Sequence, residues 1–290
     1  MRSIELTSPT KLNELFRQHG FSPKKRFGQN FLVDWNILNK ILDAADVREG
    51  DHVLEIGAGA GTVTLAMAER GARVVAVEID GTLLDILSEL FADHSNVRII
   101  HADILSLSLP QFLSSQFGSA KVKVIGNLPY YITSPIITEL LLARSQIELI
   151  VLMIQKEVAD RLKASPGTKD YGSMSVFVQY YSEIEVIAYA SKTVFFPRPD
   201  VSSAIVRLTP RSVPPVKVPS DESFFAVVHC AFGQRRKTLL NSLSDCQALG
   251  LSKDQVLQVL QKAGIDFSRR PETLSLEEFA QIASAYSSLE

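Results

Sequence analysis

The sequence Asn127-Leu128-Pro129-Tyr130 follows an apolar stretch, 121–125, that is typical of a buried strand. The side-chain oxygen of Asn127 and the carbonyl oxygen of Leu128 are uncharged hydrogen-bond acceptors. An exocyclic amine of a purine is a poor nucleophile, and two such acceptors would raise the electron density on its nitrogen. Pro129 restricts the turn, and the ring of Tyr130 offers a flat face for an unstacked base. The alternative interpretation is an ordinary turn.

A glycine-rich segment precedes this turn in the chain. Glu55 is followed by Gly57, Gly59 and Gly61, and 63–68 has a helix-like composition. Glycine allows positive φ and close approach to a ligand, and a helix N-terminus presents unpaired N–H groups. The dinucleotide fingerprint is Gly-x-Gly-x-x-Gly, so the third glycine here comes one residue early. The acidic side chain of Glu55, beside the glycine-rich loop, suits a cationic ligand better than a pyrophosphate. The spacing resembles the first motif of class I methyltransferases, which use S-adenosylmethionine.

Acidic residues follow two further predicted strands. Glu78 ends the stretch 73–77, about 20 residues after the first glycine, which is where a ribose-binding carboxylate is expected. Asp103 follows the stretch 97–101 and could accept a hydrogen bond from an adenine amino group. The alternative is that both are solvated acids at strand ends.

A stiff loop at 195–203 contains two prolines on either side of Arg198. Phe195 could close over a base from the side opposite Tyr130, and Arg198 could bind a phosphate. The alternative is that the phenylalanine only anchors the loop in the core.

The pattern predicts an α/β protein with a Rossmann-like class I methyltransferase fold and a smaller all-helical C-terminal domain. The methyltransferase domain spans 1–209 and begins with a basic arm at 10–32. A linker with four prolines occupies 210–219, and the helical domain occupies 220–290. The predicted strands are 53–56, 73–77, 97–101, 121–125, 148–154, 184–190 and 204–209.

Local clusters of cations indicate binding to structured RNA, although the net charge is only −2. The candidate phosphate contacts are Lys24, Lys25, Arg26, Arg198, Arg235, Arg236 and Lys237. Most short charged runs are simply solvated surface, which is the alternative interpretation.

The amino-acid composition indicates the class of protein and its expected location in the cell. Hydrophobic residues make up 46% of the 290 residues, which is typical of a globular protein with a sizeable core. Cys230 and Cys246 lack metal-ligand spacing, so we expect reduced cysteines, no metal and a cytoplasmic location. The first ten residues lack the apolar region of a signal peptide, and no apolar run is long enough to span a bilayer.

Taken in order, these motifs resemble the ribosomal RNA adenine N6,N6-dimethyltransferase family, and its bacterial small-subunit members most closely. The motifs that carry the resemblance are 27–32, 55–61, 77–80, 102–104, 127–130, 195–203 and 232–237. The resemblance covers nearly the whole chain, from about residue 13 to the last helix.

The resemblance implies S-adenosylmethionine as the methyl donor. It also implies two adjacent adenines in a hairpin loop near the 3′ end of 16S rRNA as the target, in an immature small subunit whose assembly the protein would assist. Cofactor contacts would fall on Asn30, Leu32, Gly57, Glu78, Asp103 and Asn127. Handling of the target base would fall on Asn127, Leu128, Tyr130 and Phe195. We expect a monomer.

Three alternative functions remain at this point. A large-subunit rRNA adenine methyltransferase of the macrolide-resistance type shares the central motifs. An RNA-binding assembly factor could retain the fold while its methylation is dispensable. A nicotinamide oxidoreductase is disfavoured by the glycine spacing and by Glu55.

Overall fold

The computed structural model describes residues 1–24, 27–234 and 236–289. Three predicted RNA contacts, Lys25, Arg26 and Arg235, lie outside the described residues. Contacts divide the chain into two units. The first contains Met1–Ala159 and Glu183–Pro210, and the second contains Asp160–Ser182 and Arg211–Glu290.

The first unit is built on a seven-stranded sheet with the order β4-β3-β2-β5-β6-β9-β7. The strands are β2 (His52–Ile56), β3 (Arg73–Glu78), β4 (Val97–His101), β5 (Val122–Asn127), β6 (Ile147–Gln155), β7 (Ser182–Ala190) and β9 (Ser203–Pro210). The pairs β3–β4, β2–β3, β2–β5 and β5–β6 are parallel, and β6–β9 is antiparallel. The predicted α/β fold is therefore confirmed, and the carboxyl ends of β2 to β5 meet at one edge, where such sheets bind ligands.

Helices precede these strands and also lie between them in the chain. They are α1 (Ser3–Leu6), α2 (Pro9–Gln18), α3 (Trp35–Ala44), α4 (Thr62–Glu69), α5 (Leu84–Leu90), α6 (Leu109–Phe117) and α7 (Thr133–Leu142), followed by α8 (Lys156–Leu162), which crosses into the second unit. Asp34 caps α3, because its side chain accepts from the Ile37 N–H at 2.8 Å. Leu38, Leu65 and Met67 are fully buried in the core of this unit.

A two-stranded ribbon accompanies the main sheet. Its strands are β1 (Phe31–Leu32) and β8 (Phe195–Phe196), which pair antiparallel so that Leu32 lies opposite Phe195. The sequence predicted loops here, because two residues are too few to show a period.

The second unit consists mainly of helices: α9 (Ser173–Tyr181), α10 (Asp221–Phe232), α11 (Leu239–Ser244), α12 (Lys253–Lys262) and α13 (Leu276–Ser287). α9 packs with α10, because the hydroxyl groups of Tyr180 and Tyr181 both donate to the Asp221 carboxylate at 2.7 Å. The ring of Tyr180 also stacks on Phe224 with centroids 4.9 Å apart. Segment 160–182 therefore groups with the C-terminal helices, whereas the sequence-based boundary at 209/210 placed it with the methyltransferase domain.

The cysteines differ from the expectation. Cys230 in α10 and Cys246, just after α11, form a disulfide with their Cα atoms 5.4 Å apart. The expectation of reduced cysteines was wrong for this structure, because the packing of α10 against α11 brings together two residues that are 16 positions apart in the chain. Cysteine content therefore no longer supports a reducing compartment.

Candidate active site

A cleft lies at the carboxyl edge of the sheet, entirely within the first unit, and the glycine-rich loop after β2 forms one wall. Gly57 and Gly61 both have positive φ, at 81° and 82°. The positive φ of Gly61 is strained for any residue with a side chain, and a Cβ atom there would also crowd Leu90 Cδ2 at 2.7 Å. The Gly57 N–H donates to the carbonyl of Val77 at 2.8 Å and ties the loop to β3.

Glu78 ends β3 and faces this loop. One carboxylate oxygen accepts from the Gly59 N–H at 2.8 Å, and the other accepts from the Asp80 N–H at 2.8 Å. The side chain is buried, and this burial raises its pKa despite the hydrogen bonds from the backbone. Each oxygen keeps further acceptor capacity for a ligand hydroxyl.

Glu55 is the second buried acid in the lining of the cleft. It is 2% exposed and accepts a 2.5 Å hydrogen bond from the hydroxyl of Thr64. Burial is the main cause that raises its pKa to about 8, and the nearby Glu78 adds to the effect. Glu55 is thus largely protonated at neutral pH in the ligand-free protein, and a cation beside it would favour ionisation.

The opposite wall is formed by the turn after β5. The side-chain Nδ2 of Asn127 donates to the backbone carbonyl of Asn30 at 2.9 Å, so the group that this amide can offer to a ligand is the acceptor Oδ1. The Leu128 N–H donates to the carbonyl of Met153 at 3.1 Å and holds the turn against β6. Oxygen acceptors on this wall are therefore carried by a turn that is fixed on both sides.

Three aromatic residues lie near this turn. Tyr130 is partly buried, and its hydroxyl lies 3.2 Å from the Ser203 hydroxyl. Phe195 is only 3% exposed and lines the cleft from β8. Tyr131, by contrast, is 61% exposed. Tyr130 and Phe195 thus border the same cleft, and their holding of a base stays a prediction.

The structure brings the predicted cofactor and base-handling residues into one cleft. Those that line it are Asn30, Leu32, Gly57, Glu78, Asp103, Asn127, Leu128, Tyr130 and Phe195. Asp103 is exposed, and its side chain also accepts from the Leu105 N–H at 3.0 Å. Sequence reasoning missed Ser203, the partner of Tyr130, and Thr64, the partner of Glu55, because hydroxyl residues carry no motif of their own.

The four predicted RNA contacts among the described residues, Lys24, Arg198, Arg236 and Lys237, lie outside the lining of the cleft. Arg198 and Arg236 are exposed. Lys237 pairs with Asp245 at 2.6 Å. The ammonium group of Lys24 donates to Asp80 at 2.8 Å and to the Thr82 hydroxyl at 2.6 Å, so it is already engaged within the protein.

Comparison with known proteins decides the family. Residues 20–287 match the family model described as ribosomal RNA adenine dimethylase. The chain belongs to the ribosomal RNA adenine dimethylase family. It is 48% identical over 283 residues to ribosomal RNA small subunit methyltransferase A of Geobacillus thermodenitrificans, covering 97% of each chain. It is also 48% identical to the protein of the same name from Pelotomaculum thermopropionicum, over 98% of each chain.

Solved structures share the architecture of this dimethylase-family chain. A dimethyladenosine transferase from Plasmodium falciparum aligns with a TM-score of 0.73 and 24% identity, covering 87% of this chain and 95% of that one. The 23S rRNA methyltransferase ErmE aligns with a TM-score of 0.65 and 27% identity, covering 89% of this chain and all of ErmE. These likenesses confirm the Rossmann-like fold with a helical C-terminal part.

Membership of the dimethylase family makes the chain an S-adenosylmethionine-dependent rRNA methyltransferase. The residues of the cleft fit this cofactor. Glu55, Glu78 and Asp103 line it, and none of its described lining residues is Lys or Arg. An acidic lining suits a sulfonium and an ammonium group better than a pyrophosphate, and membership of the family excludes the nicotinamide alternative.

The described residues of the dimethylase also bear on metal binding and on membrane spans. No group of three or more His, Cys, Asp or Glu residues is placed to hold a metal ion within that part of the chain. No helix in the same part is both long and apolar enough to cross a membrane.

Proposed function

We propose that the chain transfers methyl groups from S-adenosylmethionine to the N6 amines of two adjacent adenines near the 3′ end of 16S rRNA. The target would lie in a hairpin loop within an immature small ribosomal subunit. The observation that carries the proposal is the turn at 127–130, which lines the same cleft as three acids and in which the Asn127 amide keeps Oδ1 as its acceptor. Its choice of subunit is supported by near-full-length similarity to small-subunit methyltransferases.

The acidic wall would bind the cofactor. Glu78 would accept from the ribose hydroxyls, because its two oxygens lie at the end of β3 beside the Gly59 N–H. Asp103 would accept from the adenine amino group, and Gly57 would let the backbone approach the ligand closely. Asn30 and Leu32 would cover it from the opposite side. When bound, S-adenosylmethionine supplies a methyl group that its sulfonium has already activated.

The uncharged wall would hold the target amine. The Asn127 Oδ1 and the Leu128 carbonyl would accept its two hydrogens and direct its lone pair along the line of transfer. Tyr130 and Phe195 would hold the base in this orientation. Positioning of this kind supplies much of the rate gain when the donor is already activated. A strong base is unnecessary, because a methylated adenine amine loses its extra proton readily.

Binding of the RNA would depend on exposed cations. Arg198 and Arg236 are exposed and suited to phosphate contacts, and Lys237 could exchange Asp245 for a phosphate. Lys25, Arg26 and Arg235 remain predicted contacts. We further propose that the protein acts as a monomer, in the cytoplasm, on a particle whose maturation it assists.

The test is to map methyl groups on RNA. Purified protein and labelled S-adenosylmethionine are incubated with immature small subunits, and in parallel with large-subunit rRNA. We expect two neighbouring dimethylated adenines near the 3′ end of 16S rRNA. Methylation of the large-subunit RNA alone would support the macrolide-resistance alternative. Normal maturation of subunits by an Asn127→Ala variant without activity would instead favour the assembly-factor alternative.

A further inference from the structure

A segment of the basic arm, residues 27–32, runs along the cleft, and we call it the strap. All six of its residues line the cleft. At its far end, the Asn30 carbonyl accepts from Asn127 Nδ2 at 2.9 Å, and β1 pairs with β8. The strap is therefore fixed to the amine-binding wall.

The near end of the strap is fixed by one carboxylate. Asp80 Oδ1 accepts from the Lys24 ammonium at 2.8 Å, and Asp80 Oδ2 accepts from the Gln29 side-chain Nε2 at 2.7 Å. The Gln29 Oε1 in turn accepts from the Lys24 backbone N–H at 2.7 Å. The three residues form a closed ring of hydrogen bonds that joins the arm to the segment after β3.

Asp80 is itself held rigidly. Its side chain is 2% exposed, and Oδ1 also accepts from the N–H and the hydroxyl of Thr82, at 3.1 Å and 2.8 Å. Its N–H donates to Glu78, the proposed ribose ligand, at 2.8 Å. Burial alone would raise the pKa of Asp80, but the hydrogen bonds from Lys24, Thr82 and Gln29 outweigh it and lower the pKa to about 2. The carboxylate is therefore ionised at any pH at which the enzyme would be assayed.

We infer that Asp80 is a positioning residue that anchors the strap over the cofactor cleft through Lys24 and Gln29, and so slows the release of S-adenosylmethionine. The inference rests on that cofactor occupying the cleft. It assigns Lys24 a role different from the phosphate contact that the sequence suggested. The strap is held by its contacts at Asp80, at Asn127 and along β8, so opening it would require some of these contacts to break.

The experiment measures the dissociation rate of S-adenosylhomocysteine and S-adenosylmethionine from the full chain without RNA, by rapid dilution or surface plasmon resonance. We expect Lys24→Met and Asp80→Ala each to raise the rate about tenfold or more, the usual effect of losing a charge-assisted hydrogen bond. The double variant should be no faster than Asp80→Ala alone, because Asp80→Ala already removes the contact with Lys24 together with that of Gln29. Lys24→Arg should restore a slow rate, because arginine can still donate to Asp80.

Lys11→Met is the matched control, because Lys11 pairs with Glu14 on the surface of α2, away from the cleft lining, and should leave the rate unchanged. If Asp80→Ala fails to fold, as judged by circular dichroism, Lys24→Met and Gln29→Leu still decide the question. Unchanged dissociation in folded variants would overturn the inference. A loss of RNA affinity in Lys24→Met, with cofactor release unaltered, would also overturn it and restore the phosphate role. No binding of the cofactor by the unaltered protein would overturn both this inference and the proposed function.

Discussion

The two walls of the cleft hold different kinds of side chain. The wall formed by β2, β3 and β4 carries the acids Glu55, Glu78 and Asp103, and the wall formed by the turn after β5 carries an amide, a backbone carbonyl and an aromatic ring. Charge on one wall would bind a cationic donor, while neutral acceptors on the other would orient an uncharged amine. The difference teaches that binding of the cofactor and orientation of the acceptor are separable, so substitutions on the two walls should have different effects.

The largest expected effect comes from the uncharged wall. Asn127→Ala removes the Oδ1 acceptor, and we expect turnover to fall about 100- to 1,000-fold, as when one oriented polar group is lost from other active sites. The dissociation constant for S-adenosylmethionine should rise less, because Glu78 and Asp103 still line the cofactor side of the cleft, although the contact of Asn127 with the Asn30 carbonyl is also lost. Single-turnover kinetics and calorimetry measure the two quantities. Asn13→Ala, an exposed asparagine on α2, is the control, and near-normal turnover in Asn127→Ala would contradict the role of the acceptor.

The acidic wall should show the opposite pattern. Glu78→Gln replaces one carboxylate oxygen with an amide NH₂ group that cannot accept a hydrogen bond, and we expect the affinity for S-adenosylmethionine to fall about 10- to 100-fold. Turnover at saturating cofactor should change less. Isothermal titration calorimetry gives the affinity, and Glu185→Gln, which removes an exposed partner of Arg207, provides the matched comparison. A variant that binds normally but turns over slowly would show that the two walls are not separable.

Much of this architecture is visible in the sequence. The parallel strands appear as apolar runs followed by chemically distinctive residues, such as Glu78 after β3 and Asn127 at the end of β5. Each run is long enough for its pattern of apolar residues to identify it as a strand or a helix. The order and type of the elements could therefore be predicted, including the helices of the second unit.

Features that depend on contacts between residues far apart in the sequence could not be predicted. The ribbon of β1 and β8 joins two-residue segments more than 160 positions apart. Tyr180 groups with the C-terminal helices because its hydroxyl donates to Asp221 and its ring stacks on Phe224. Lys24 looked like part of a solvated cluster, and only the fold shows its contact with Asp80. The residue types indicate which interactions each side chain can make. Which residue it interacts with is visible only in the tertiary structure.

A smaller effect concerns the pH dependence of stability. The pKa of Glu55 is raised from 4.5 to about 8 in the folded protein, so the folded state holds this proton more tightly than the unfolded state between those values. The free energy of unfolding should therefore fall as pH rises through this window, by at most about 1.4 kcal/mol per pH unit from this group. Glu55→Gln should flatten that slope in urea titrations between pH 5 and about 8. Glu148→Gln, at an exposed position in β6, should leave the slope intact, and an equal slope in both variants would refute the assignment.

The smallest effect is expected far from either wall. Arg236→Ala should weaken RNA binding only a few-fold and reduce the slope of log affinity against log salt by about one, because a single phosphate contact is lost. Filter binding across a salt series measures this slope. Cofactor affinity should be unchanged, and Lys253→Ala, another exposed cation, tests whether any surface charge has the same effect. A changed cofactor affinity in Arg236→Ala would contradict the assignment of cofactor binding and RNA binding to separate surfaces.

The most direct measurement of the central claim is a crystal structure with S-adenosylmethionine bound. We expect the cofactor to lie in the cleft that contains Glu78. Its reactive methyl carbon should lie within about 6 Å of Asn127 Oδ1, a distance that leaves room for an amine between the two atoms. A methyl carbon more than about 10 Å from the turn at 127–130 would leave no single amine able to meet both walls, and it would contradict the account.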